Sequence, residues 1–172
     1  VSAVITEPAA PLQVTVSSAT NVTCFNADNG SITVSTSGGT PSYNYNWGGG
    51  VTTSNRSGLS AGNYSLTVTD ANTCTADAWV AISEPASMVL TTSVTDVACC
   101  GASTGAVNLT VSGGTGAYGY VWSNGVTSQN NPGLSAGLYR VTVTDANNCS
   151  QSASATVATG SQLIPALSVT NA

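Results

Sequence analysis

The stretch GLSAGNYSLTVTDANTC, residues 58–74, returns almost unchanged as GLSAGLYRVTVTDANNC at residues 133–149. Inside it Tyr64, Leu66 and Val68 alternate with Ser65, Thr67 and Thr69, the two-residue period of a strand with one apolar and one wet face. Asp70-Ala71-Asn72, directly after, is turn chemistry. A strand, a turn and a second copy 75 residues later set the frame for the rest of the chain.

Working outward, the offset of 75 holds without a gap from Val22 and Val97 onward, pairing Cys24 with Cys99, Trp47 with Trp122, Asp70 with Asp145 and Cys74 with Cys149. Of the 61 positions from Val22 to Ile82, 29 match their partners, which makes this a tandem duplication. Ile5-Thr6-Glu7-Pro8 is echoed by Ile82-Ser83-Glu84-Pro85, so each phrase closes one module and opens the next. Residues 1–8 then read as the end of a preceding repeat, 9–83 as the first repeat and 84–160 as the second. Residues 161–172 read as the start of a following repeat or a linker, and the parent protein as a longer array.

Alternation continues through each copy. Leu12, Val14 and Val16 share a parity, as do Ile32 with Val34, Tyr43 with Tyr45 and Trp47, and Ala76 with Ala78, Val80 and Ile82. Turn signals separate the runs at Asp28-Asn29-Gly30, Gly38-Gly39-Thr40-Pro41 and Gly48-Gly49-Gly50, and no amphipathic helix is visible. The expected fold is all-β: two tandem Ig-like antiparallel β-sandwich modules of about 75 residues each.

Charge narrows the function. Only 5% of the 172 residues are charged, against about 25% in ordinary soluble domains, with two Lys or Arg, seven acidic residues and no His. Without His the commonest general base and metal ligand are missing. Two cations cannot neutralise a run of phosphates, which argues against nucleic acid and anionic membranes as partners. No apolar run of about 18 residues is present to insert in a bilayer. Ser lacks an activating base and no carboxylate pair recurs within the modules, so no enzyme activity and no cofactor are expected.

A module this small buries a limited core and often needs a staple. Cys24 and Cys74 bracket Trp47, and Cys99 and Cys149 bracket Trp122, in the Cys, Trp, Cys order of Ig domains. One disulfide inside each module is therefore expected, closing a loop of about 50 residues and stabilising it by roughly 4 kcal/mol in an oxidising compartment. Cys100 adjoins Cys99, and sequence leaves open which of the two is bridged.

The run G-x-L-S-A-G-x-Y-x-x-T-V-T-D-A-N-x-C, preceded by GGT, Y-x-Y-x-W and an upstream Cys, resembles the SprB repeat family in both modules. Such repeats stand in tandem in large surface adhesins of gliding bacteria of the Bacteroidetes group. The resemblance implies export by the type IX system, an extracellular, outer-membrane-associated location, and a part in adhesion or gliding.

Three further sets of residues are candidates for chemistry. Asp70 and Asp145 could ligate Ca²⁺ from their turns, although one carboxylate per turn is few for a hard cation; the competing role is an Asx-type turn acceptor. Tyr43, Tyr45 and Trp47 share a parity that places them in the core. Trp79 has the opposite parity from Ala78 and Val80, which points it to solvent as a contact for a ligand or a neighbouring module; its partner is Ser154.

The function these features favour is a structural and adhesive segment of a long surface protein, with neighbouring repeats of its own chain as partners. Surface polysaccharide and other copies of the chain are further candidate partners. The alternatives are a fibre subunit that completes its neighbours by strand exchange and a carbohydrate-binding module.

Overall fold

The computed structural model describes residues 10–99 and 101–160. The expectations for residues 1–8, for 161–172 and for Cys100 lie outside those residues. The chain divides into two compact units between Pro85 and Ala86.

The first unit contains β1 (Gln13–Thr20), β2 (Gly30–Ser37), β3 (Asn44–Asn46), β4 (Arg56–Leu59), β5 (Gly62–Thr69) and β6 (Thr75–Ile82). The second repeats the series as β7 (Val89–Thr95), β8 (Gly105–Ser112), β9 (Gly119–Trp122), β10 (Asn131–Leu134), β11 (Gly137–Thr144) and β12 (Ser150–Val157). No helix occurs among the described residues. Each unit holds two three-stranded antiparallel sheets, in the orders β1-β2-β4 and β3-β5-β6, then β7-β8-β10 and β9-β11-β12. That connectivity is the two-sheet pattern of an Ig-type sandwich with one outer strand fewer.

Alternation built the core as expected. Ile32 and Leu59 of the first sheet meet Leu66, Val68 and Ile82 of the second, with Val22 and Trp47 closing the cluster. Tyr43 and Tyr45 pack against it from partly buried positions. The second unit assembles Val107, Leu109, Trp122, Leu134, Val141, Val143 and Val157 in the same way. Burying such rings and branched chains stabilises by about 1.5–3 kcal/mol each before conformational entropy is set against it. Trp47 and Trp122 each spend their indole N–H on a carbonyl, of Thr53 and Ser128 respectively, at 2.9 Å.

One residue distinguishes the two first strands. The pairing of β1 with β2 shifts between Val16 and Ser18, whereas β7 pairs with β8 in unbroken register from Val89 to Thr95. The bulge absorbs an extra residue in the first module, so Val14 and Val16 still face the core while the strand beyond keeps its partners.

At the β4–β5 and β10–β11 corners, the hydroxyls of Tyr64 and Tyr139 donate to the carbonyls of Ser60 and Ser135 at 2.9 and 3.1 Å. This is a tyrosine corner, a tie that locks a sandwich where the chain crosses from one sheet to the other.

Candidate functional site

The chemistry of this molecule is concentrated at the two ends of each module. At the proximal end, where the chain enters, the Gly39 N–H donates to the carbonyl of Ala10 and the Gly114 N–H to that of Ala86, at 2.9 and 2.8 Å. Gly38 and Gly113 sit at φ 69° and 73°, and a Cβ on either would fall 2.0 Å from the carbonyl oxygen of Pro11 or Ser87. Only glycine combines that backbone with so close an approach.

The β5–β6 and β11–β12 turns occupy the same end, tied there by a carboxylate. Asp70 Oδ2 accepts the Thr40 N–H at 2.8 Å, and Oδ1 accepts the N–H groups of Asn72 and Cys74 at 2.9 Å. Asp145 does the same for Thr115, Asn147 and Cys149, each at 2.9 Å. The Asn72 and Asn147 amides reach across to the hydroxyls of Thr40 and Thr115. These donors hold both carboxyls below the ordinary value of 3.8; Thr40 is the largest contributor for Asp70 and Thr115 for Asp145, against the opposing effect of desolvation. Both oxygens of each carboxylate thus serve the backbone. No group of three or more His, Cys, Asp or Glu able to hold a metal forms among the described residues.

The distal end holds the β1–β2 and β7–β8 loops and the strand that leaves the module. The Val22 N–H donates to the carbonyl of Ser83 and the Val97 N–H to that of Ala158, both at 3.1 Å. Asn21 and Asp96 return the tie by accepting the Ser83 and Ala158 N–H groups. In the first module alone, the Glu84 carboxylate accepts the Asn26 N–H at 2.7 Å.

This division corrects the expected disulfides. Cys24 lies in the distal β1–β2 loop and Cys74 in the proximal β5–β6 turn; Cys99 and Cys149 are divided likewise. The ends are separated by the eight residues of β5 or β11, about 25 Å of extended chain, whereas a disulfide needs its Cα atoms within about 7 Å. The bonds Cys24–Cys74 and Cys99–Cys149 are accordingly not formed. Cys74 and Cys99 are exposed thiols, while Cys24 and Cys149 are disulfide-bonded.

The SprB repeat model matches the chain at two places, residues 16–52 and 91–127. The chain carries two SprB repeats. Each match runs from the first strand of a module through the loop after its Trp, taking in the first Cys, the GGT turn and Y-x-Y-x-W. The TVTDAN turn lies beyond both matched segments. No curated protein matches the chain. SprB repeats are typical of extracellular surface proteins, and the two matches suggest a repeat segment of a cell-surface protein.

Between the two SprB repeats, Trp79 marks a difference on the outer face of the β3-β5-β6 sheet. It lies across from Ser65, is 73% exposed, and is matched by Ser154 in the second repeat. Sequence reasoning found that exposure from parity but passed over two features. One is the tyrosine corner, signalled by L-S-A-G-x-Y. The other is Arg56, whose guanidinium lies 5.7 Å from the Trp47 ring and 5.1 Å from the Tyr64 ring. Its partner Asn131 is instead fully buried and exchanges two amide hydrogen bonds with Asn124, at 3.2 and 3.1 Å.

Proposed function

We propose that the chain is a structural and adhesive stretch of a long extracellular array, displayed at the cell surface and serving attachment or gliding, with export by the type IX route. One observation carries the reading: the polar and aromatic residues identical in both repeats serve the frame. Asp70 and Asp145, Tyr64 and Tyr139, Trp47 and Trp122, and Asn55 and Asn130 bind backbone atoms of their own module. No repeated constellation of side chains remains for catalysis among the described residues. What repeats is a stable unit with the chain entering at one end and leaving at the other, which suits lengthening by copying. Individually weak contacts gain strength through number.

The test is to display arrays of increasing copy number on beads and measure retention under flow. Retention that rises faster than copy number supports the proposal; retention independent of copy number contradicts it. Trp79 supports a second, narrower reading, glycan contact in the first repeat, because an indole face this exposed suits a sugar ring. Unmoved indole NMR signals through a titration with bacterial surface polysaccharide would remove it.

A further inference from the structure

The four described cysteines divide by module end and by oxidation state, and the two divisions run in opposite order in the two repeats. In the first repeat the distal Cys24 is disulfide-bonded and the proximal Cys74 is a thiol. In the second the proximal Cys149 is disulfide-bonded and the distal Cys99 is a thiol. Both thiols are exposed. Each occupies the same loop as a cysteine that is oxidised in the sister repeat: Cys74 matches Cys149 in the Asp-anchored turn, and Cys99 matches Cys24 in the loop tied to the departing strand. The turn geometry is also shared, since Cys74 and Cys149 both donate their N–H to the aspartate at 2.9 Å. A site that is oxidised in one repeat therefore stands in the same setting, reduced, in the other.

We propose that Cys74 and Cys99 are the open ends of a head-to-tail disulfide chain, in which the distal cysteine of one copy of the repeat bonds to the proximal cysteine of another. The partner is a further SprB-type module presenting the complementary end. The pairing is heterologous, distal to proximal, so it propagates along an array and does not close into a two-fold dimer. This deepens the proposed array function and rests on it for biological purpose, though not for its chemistry. Making the bond requires an oxidant, here a small-molecule disulfide. The Cys99 thiolate attacks one of its sulfurs, forming a mixed disulfide and expelling a thiolate. The Cys74 thiolate of another copy then attacks the Cys99 sulfur, closing the S–S bond and expelling the second thiolate. The cysteine thiols together lose two electrons and two protons, and one small disulfide is reduced to two thiols.

The experiment uses the 172-residue chain with Cys100→Ser, which removes the cysteine next to Cys99, treated with oxidised glutathione and followed on non-reducing gels with peptide mapping. The expected result is a ladder of linked chains, dispersed by reductant, whose cross-linked peptides join Cys74 to Cys99. Adding Cys74→Ser or Cys99→Ser alone should abolish the ladder and leave monomer. Mixing those two variants should restore a dimer and nothing larger, because each supplies one end. Dimers from either variant alone would show indiscriminate surface oxidation and overturn the proposal, as would a parent chain that stops at the glutathione adduct. A failed ladder leaves copy-number-dependent adhesion standing, and failed adhesion leaves the ladder standing, so the two readings fail separately.

Discussion

The two repeats use the same skeleton and differ at its margins. Trp47 and Trp122, Tyr64 and Tyr139, and Asp70 and Asp145 make the same hydrogen bonds in both, within 0.2 Å. At the position shared by Arg56 and Asn131, one repeat stacks a cation on two rings and the other buries an amide hydrogen-bonded to Asn124. Where one has Trp79 the other has Ser154, and where one first strand bulges the other runs straight. The comparison separates residues that build a module from those that individualise it: the first kind are buried or bonded to backbone, and the second lie on an outer face or a strand edge, except Asn131, which is buried.

The largest expected effect falls on the shared skeleton. Trp122 is 2% exposed, and Trp122→Ala should cost about 4 kcal/mol, most of the stability of a domain this size. Calorimetry should show the second repeat's transition lost and the first's retained; loss of both together would mean the repeats do not stand as separate units.

Next come the aspartates. Asp70→Asn or Asp145→Asn turns an NH₂ or a weaker acceptor toward three backbone N–H groups, and should lower the melting temperature of its repeat by about 5–10 °C. Because folding depresses both carboxyl pKa values, the stability they contribute is fully present above the ordinary 3.8 and disappears as pH falls through the lower folded value. Melting temperatures measured against pH should fall in that acid window for the parent chain and fall less for the Asn variants. A parallel fall in both would contradict the assignment.

The differing position sharpens the contrast further. Asn131→Ala removes a fully buried amide and its two hydrogen bonds to the exposed Asn124 and should cost about 2 kcal/mol, whereas Arg56→Ala loses a partly solvated stack worth about 1 kcal/mol. Urea melts of the two variants would reverse this order if the amide pair were readily replaced by water. Smallest is Trp79→Ser, which copies the second repeat and should shift stability by less than about 0.5 kcal/mol. A larger loss would mean that the indole packs against something within its own module.

Most of the fold could be read from the chain because alternation and repetition are both local patterns. The inward parity of Ile32, Leu66 and Val68 and the outward parity of Trp79 follow from the two-residue period alone. The cysteines were misread for a physical reason. Their order around Trp47 and Trp122 matches an Ig domain, but order along a chain does not report at which end of a sandwich a loop emerges, and an eight-residue strand keeps Cys24 and Cys74 apart. The role of Arg56 was hidden similarly, since one of its two rings follows β3 and the other lies in β5. The Asp70 turn was legible in part: the turn showed in sequence, but not the Thr40 N–H that crosses from another loop.

Disulfide mapping by mass spectrometry of the unreduced, alkylated chain tests this placement most directly. Alkylated Cys74 and Cys99 are expected in the monomer, with no peptide joining Cys24 to Cys74 or Cys99 to Cys149. Recovery of either of those two cross-linked peptides would contradict it.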